Sequence, residues 1–493
     1  EPHRPSPRRR RAHHPDRRRR PDHADFGGRA HRTEGLSVAA VAPALRMARI
    51  MVDDVCPTIA VSHSPAPPAT AVTGDRFPGV RLFAEDRDAK RLTDGAHRAA
   101  PLAETLARAR SVAPRIGLTR VGFLTGLDRI GAPVAMAVRP NARSAAISLG
   151  KGVSPDHALA SAYMESIECW HAETIDAPLA VGAAPPGCAL DVSRLPPIEG
   201  SLWDGTREIS WIAGVDMITG APLWAPYETV HAAYTAPMPQ GSGCFFASTN
   251  GLASGNTRTE ALVHAVTEVI ERDATTLWYF ADDAAREATR LDLETVDDPA
   301  CRHLLAMFEA ADLAVGVWET TSDVGVAAFF AWIMERSDGF GGAARSAVGQ
   351  GCHLDPAIAL SRALTEAAQA RLTVISGARD DLGEAEYAAP DAETQEARRA
   401  LLVEGATPRP FAAAPAFRSE TLRDDAAHLL ERLTAVGVTE VFAADLMKPA
   451  FGVPVMRVVI PGLEGPHDHE RYAPGARALA ALEAAGACEE TEA

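Results

Sequence analysis

Three stretches of the chain carry charged or hydrogen-bonding side chains at spacings that return to one face of a helix. Ser161, Glu165 and Glu168 fall at i, i+4 and i+7. Glu260, His264, Glu268 and Glu271 fall at i, i+4, i+8 and i+11. Arg362, Glu366 and Gln369 repeat the first pattern. At about 3.6 residues per turn each set forms a narrow stripe. The second stripe is embedded in Ala261, Leu262, Val263, Ala265, Val266, Val269 and Ile270, and the third in Ile358, Ala359, Leu360, Ala363, Leu364, Ala367 and Ala368. A surface helix is apolar on one side and polar over most of the rest, so helices that are apolar nearly all round read as buried. Buried carboxylates are costly unless cations or donors satisfy them. Hard divalent ions such as Mg2+ would satisfy them through oxygen ligands and would in turn favour phosphate oxygens. Arg362 and Gln369 could then meet the ligand directly. These residue types point to a metal–polyphosphate cavity between buried helices. A plainer reading stays open. Arg362 and Glu366 could be an i,i+4 pair worth about a few tenths of a kcal/mol on an exposed helix, with Glu165 and Glu168 on a solvated edge.

Other motifs are weaker. The chain has no G-x-x-x-x-G-K-[ST] loop, and Gly150-Lys151-Gly152 has the lysine without the spacing. Thr249 to Asn256 is a glycine-containing turn feeding a helix start, where backbone N–H groups could cradle an anion. No Gly-x-Ser-x-Gly elbow is present. His467-Asp468-His469 reads as solvated, Cys244 and Cys352 as small buried thiols, and Trp170 and Trp278 as core.

The elements that must position the stripes follow from caps and periodicity. A helix is expected over Asp156–Glu173 behind Ser154-Pro155, a second over Thr257–Phe280, and a third over Asp355–Ser376 with Pro356 in its first turn. Strands are expected over 130–138 and 144–149, as a pair over 314–319 and 324–334, and late in the chain over 453–460. Residues 182–200 read as a connection, 384–405 as a polar helix and 411–417 as loop. The class is mixed α/β; the pattern does not yield the strand order.

The 493 residues carry a net charge of −16, unevenly spread. Residues 1–34 hold eleven arginines and five acids, a local +6, leaving −22 for the remainder. This basic arm, taken as residues 1–50, has no hydrophobic period and reads as disordered. It is either an arm for an anionic partner or, given Met47 and Met51, sequence upstream of the native start. Residues 51–92 read as linker, 93–466 as the catalytic domain and 467–493 as a polar tail. The acidic remainder speaks against nucleic acid as a partner. The longest apolar run, Val324–Met334, is far short of the ~18 residues a membrane span needs. Seven scattered cysteines without a C-x-x-C pair fit a reducing, cytoplasmic setting.

At the stripe residues the sequence closely resembles the YcaO family. The matching stretches are Gly150-Lys151-Gly152, Ser161 to Glu168, Asn250 to Asn256 running on to Glu271-Arg272-Asp273, Ser361 to Arg371, and Arg379-Asp380-Asp381. They span about residues 93–464 in the family's order. The resemblance implies a YcaO-like ATP-binding fold with buried Glu-bearing helices packed on mixed sheets, using ATP and Mg2+. It implies Glu165, Glu168, Glu268 and Glu271 as magnesium ligands, and Asn256, Glu260, Arg272, Arg362 and Glu366 as nucleotide contacts. Arg98, Thr105 and Arg108 have the spacing of a further ATP-contacting set, and Ala253 stands where some members place a serine. Members of the family activate a peptide backbone amide by phosphorylating its oxygen. The product is an azoline ring when a Cys, Ser or Thr side chain attacks, and a thioamide when external sulfide does. Gly117 to Arg120 and Thr125 to Pro133 resemble members that work beside a TfuA-type partner, and the C-terminus lacks the Pro-x-Pro-x-Pro tail of azoline formers. The expectation is therefore a thioamide synthetase with a peptide substrate, a TfuA-like partner, a sulfur donor and, as in the family, a possible homodimer. An azoline-forming cyclodehydratase and a non-catalytic nucleotide-binding scaffold are the alternatives.

Overall fold

The three stripe helices form where their caps place them. Ser154, in extended backbone, accepts the His157 N–H; Thr257 accepts the Glu260 N–H; Asp355 accepts the Ala357 N–H. Each cap satisfies a donor that the first helical turn would otherwise leave unpaired. The computed structural model describes residues 76–491 apart from 86, 94, 338–345, 380, 381 and 383–391. The basic arm, most of the expected linker and the Asp380-Asp381 pair lie outside the described residues.

In chain order the helices are α1 (Pro78–Phe83), α2 (Leu102–Val112), α3 (Pro155–Glu173), α4 (Arg258–Phe280), α5 (Asp283–Ala288), α6 (Pro299–Ala310), α7 (Pro356–Ser376), α8 (Ala392–Glu404), α9 (Leu422–Ala435) and α10 (Ala476–Thr491). One antiparallel sheet holds β3 (Arg120–Phe123), β4 (Val134–Val138) and β5 (Ile147–Lys151), following a small β1 (Arg91–Thr93) and β2 (Ala96–Arg98) pair. The largest sheet runs β6 (Leu179–Gly182), β7 (Ile209–Asp216), β15 (Phe442–Asp445), β16 (Val455–Val459), β9 (Leu252–Ser254), with β8 (Pro222–Pro226) also on β7. A third sheet orders β11 (Leu313–Glu319), β12 (Ala328–Glu335) and β13 (Ala347–Cys352), and β10 (Leu291–Asp292) meets β14 (Arg409–Pro410) in parallel. The expected strand pair is β11–β12, antiparallel with Ala314 opposite Met334.

Helix and sheet approach closely because the contacting residues are small. A Cβ on Gly150 of β5 would lie 2.1 Å from the Ala162 nitrogen and 2.2 Å from the Ala158 oxygen of α3. On β13, a Cβ on Gly349 or Gly351 would lie 2.3 Å from the Ala363 oxygen or 2.1 Å from the Ala359 oxygen of α7. Ala253 of β9 and Ala261 and Ala265 of α4 share another core cluster with Met456 and Val458 of β16. The apolar sides of all three stripe helices are thus taken up by sheets, which turns the stripes towards each other. At the end of α3, Arg139 grips Glu173 through two bonds of 2.9 and 2.6 Å, both side chains buried.

Two boundary expectations need correction. The fold begins before residue 93: Phe77, Val80 and Phe83 are buried in the cluster that holds α4 and α9. Buried Asp88 accepts the Thr257 and Thr259 hydroxyls, and Lys90 pairs with buried Asp425 at 3.1 Å. Apolar residues there are too few and too irregularly spaced to show a period. Nor are residues 467–491 a polar tail. The alanine-rich segment after Gly475 forms α10, whose first N–H groups, on Arg477 and Ala478, donate to Glu464. Arg477 grips the buried Asp273 of α4 through two bonds of 2.9 and 3.0 Å. His467, expected to be solvated, stacks on Tyr279 with ring centroids 4.1 Å apart.

Candidate active site

The three stripes converge. A cavity of about 380 Å3 is walled by α2, α3, α4 and α7 together with β2, β5, β9 and Gln350 of β13. Glu165 and Glu168 face it from α3, Glu260, His264, Glu268, Glu271 and Arg272 from α4, and Arg362 and Glu366 from α7. Arg98 and Thr105 line it from the N-terminal side. Of the twelve candidate residues, Arg108 and Asn256 do not reach the wall. Asn256 stands behind it, donating its amide to both Glu260 oxygens at 3.1 and 3.2 Å and accepting the Thr105 hydroxyl at 2.8 Å. Arg108 reaches the Asn256 carbonyl at 3.4 Å.

The surface-helix alternative does not hold for the third stripe. Glu366 pairs not with Arg362 but with Lys151 Nζ at 2.6 Å, and Arg362 donates to the Cys352 carbonyl at 3.1 Å. Gln369, one turn farther on, is not among the cavity-lining residues. The anion-cradling turn is also corrected. Residues 252–254 are strand β9, the Ser254 N–H and hydroxyl both donate to Glu168 Oε1 at 2.8 and 2.6 Å, and the Gly255 N–H is taken by Pro454. Those donors are occupied and not free to cradle an anion. Lys151, absent from the candidate set, is on the cavity wall. Its signal was the glycine on either side, since Gly150 lets β5 sit against α3 and aims the lysine along the stripe.

Charges in the cavity are unevenly matched. Glu260 has Arg98 at 3.5 Å, Glu271 has Arg272 at 3.4 Å, and Glu366 has Lys151. Among the described residues Glu165, Glu168 and Glu268 form no ion pair with a basic side chain, and Arg362 forms none with a carboxylate. Burial pushes the Glu165 and Glu268 carboxyls up to about 7, and that of Glu168 to about 8 despite its Ser254 bonds. Burial raises Glu271 as well. Burial would raise Glu366 too, but Lys151 and Arg272 hold it below the usual range. Burial, and then Arg98, pulls Arg362 down to about 10. Among the described residues no three His, Cys, Asp or Glu side chains already stand together at metal-holding distance. The donor set nonetheless fits a hard divalent ion. Oxygen-only carboxylates from two facing helices have no ion-pair partner, and a guanidinium across the cavity suits a phosphate.

The raised carboxyls set the sign of a pH effect. A carboxyl whose folded pKa exceeds its unfolded value binds more protons when folded, so metal-free stability falls as pH rises between the two. Here that interval runs from the ordinary 4.5 to about 8. Half-buried His264 and buried His353, held well below 6.5 by desolvation, oppose the trend only below 6.5. Metal-free protein should therefore melt lower by about a few degrees at pH 8.5 than at pH 6.5. Mg2+ with ATP should recover the difference. A melting temperature that rises across that interval would contradict the raised carboxyls.

Known proteins share sequence and fold with this chain. Residues 149–464 match the family model described as YcaO cyclodehydratase, ATP- and Mg2+-binding. An uncharacterised protein in the tfuA 3' region of Rhizobium leguminosarum bv. trifolii is 34% identical over 394 residues, 77% of this chain and 91% of that one. An uncharacterised protein of Methanothermobacter thermautotrophicus is 36% identical over 357 residues, 71% of this chain and 90% of its own length. In fold, the chain resembles YcaO from Methanopyrus kandleri bound with AMPPCP and Mg2+, with a TM-score of 0.62, 24% identity, and coverage of 78% of this chain and 98% of that one. It also resembles a heterocyclase in complex with substrate and cofactor, with a TM-score of 0.64, 20% identity and coverage of 79% of this chain but 56% of the heterocyclase. The chain belongs to the YcaO family, whose members are ATP- and Mg2+-binding.

Proposed function

We propose that the protein uses ATP and Mg2+ to activate a peptide backbone amide by phosphorylating its oxygen. The observation that carries this reading is the cavity itself, where Glu165, Glu168 and Glu268, which form no ion pair among the described residues, face the Arg362 guanidinium on α7. Glu165, Glu168, Glu268 and Glu271 would hold magnesium, which supplies positive charge to the reacting phosphate oxygens. Arg98, Thr105, Glu260, Arg272, Arg362 and Glu366 contact the nucleotide. Arg108 and Asn256 act one layer back: Asn256 fixes the Glu260 carboxylate and orients the Thr105 hydroxyl. An amide oxygen is a poor leaving group until phosphorylated, and positioning together with charge supplies most of phosphoryl-transfer catalysis.

The nucleophile we assign is external sulfide, giving a thioamide with the help of a TfuA-type partner and a sulfur donor. The Rhizobium relative, located in a tfuA region, supports this. A second reading, azoline formation from Cys, Ser or Thr, is favoured by the family's description as cyclodehydratase and by the fold likeness to a heterocyclase. A non-catalytic scaffold fits poorly with a full set of acidic side chains on one cavity. We place the reaction in the cytoplasm. No described helix is long and apolar enough to cross a membrane, and Cys169, Cys188, Cys244, Cys301 and Cys352 are all free thiols. Mass spectrometry of the modified peptide separates the products. Exchange of oxygen for sulfur adds mass at an unchanged residue count, whereas ring closure removes one water. A peptide lighter by one water would overturn the thioamide assignment.

A further inference from the structure

Lys151 is the one lysine on the cavity wall, and it is held where the three stripes meet. Its ammonium lies 2.6 Å from Glu366 Oε2 of α7, and Glu165 of α3 and Glu271 of α4 line the same cavity. A single side chain from β5 therefore shares one cavity with acids from three different helices, beside Arg272 of α4, which pairs with Glu271 at 3.4 Å. Its backbone is fixed, because Gly150 packs directly on the α3 backbone and a Cβ on Gly152 would lie 2.3 Å from the His157 Cβ. Glu366 is clasped from its other oxygen by the Gln350 N–H at 3.3 Å. Three helices that each present a carboxylate to one small volume repel one another unless a cation lies among them.

We propose that Lys151, beside Arg272, is an internal cation of this acidic cage and stands in for the divalent ion in the metal-free protein. Metal entry and withdrawal of the Lys151 charge are then a single exchange, and the ammonium faces the nucleotide phosphates. Lys151 is in this sense a positioning residue, keeping α3, α4 and α7 at their working separation until metal and nucleotide arrive. The inference rests on the magnesium-holding role given above to Glu165 and Glu271.

The test uses Mn2+ as the probe, read by electron paramagnetic resonance on the full chain without nucleotide, with thermal melting in parallel. Lys151→Met removes the competing charge, so Mn2+ should bind at least about tenfold more tightly than in wild type. The variant should melt lower than wild type without metal and recover most of that loss with Mn2+. Should Lys151→Met not fold, Lys151→Gln, which can hydrogen-bond Glu366 without a charge, carries the same expectation. Unchanged or weaker Mn2+ affinity with no recovery of melting would make Lys151 an ordinary partner of Glu366 and overturn the proposal. That failure differs from failure of the magnesium reading itself, which would appear as ATP binding to wild type that ignores Mg2+.

Discussion

Glu268→Gln should abolish magnesium-dependent turnover while leaving the fold intact or slightly more stable. The expectation follows from the burial that raises the Glu268 carboxyl to about 7. Glutamine has the shape of the protonated side chain but cannot become the anion that a divalent ion needs. In the metal-free protein at pH 8 the substitution removes a half-buried charge that lacks an ion-pair partner, and such a change is neutral or stabilising. In the loaded protein it removes one of the oxygens that hold the ion against the phosphates, and loss of one such electrostatic contact costs at least about a hundredfold in rate. Activity and stability should therefore move in opposite directions. Melting curves at pH 8 and ATP turnover with peptide and partner check the pair. A variant that loses stability along with activity would mean that Glu268 supports the fold and not the ion.

Gly150→Ala should have the largest effect on folding of any single methyl group added to the site's frame. The new Cβ would fall 2.1 Å from a backbone nitrogen and 2.2 Å from a backbone oxygen of α3. Neither atom can rotate away, so β5 and α3 must separate along their whole contact. Overpacking where a side chain can yield costs about 1–3 kcal/mol; a clash with backbone belongs to the exceptional class above about 4 kcal/mol. Because α3 carries Glu165 and Glu168, any protein that still folds should also lose Mg2+-dependent ATP binding. Gly126→Ala is the control: nothing lies within 4 Å of its would-be Cβ, and it should change stability by less than about 0.5 kcal/mol. Urea unfolding of both variants decides the matter, and equal midpoints would contradict the close approach of β5 to α3.

The site was more legible in the sequence than the fold. The stripes could be read because a helix returns its side chains at a fixed period, and because alanine and leucine around Glu268 or Glu366 are hard to reconcile with exposure. The helix caps Ser154, Thr257 and Asp355 were equally plain, being short-range chemistry. Strand β7, which joins β6, β8 and β15, gave no comparable signal. Its residues Ile209 to Ile212 are all buried, so the alternation that marks a half-exposed strand is missing. The pairing of β9 with β16 joins residues some two hundred positions apart and has no local signature. The turn at 249–256 misled because glycines before a helix suggest free N–H groups, whereas Glu168, distant in sequence, takes the one at Ser254. Lys151 was passed over for a related reason: its partner Glu366 lies 215 residues away.

The central claim is that the converging acidic stripes form a magnesium-dependent nucleotide cage. It is tested most directly by calorimetry of ATP binding, with and without Mg2+, to wild type and Glu268→Gln protein shown to be folded. The expected result is binding by wild type that requires Mg2+ and is lost in the variant. Equal binding by the two proteins, or ATP binding by wild type that is indifferent to Mg2+, would contradict it.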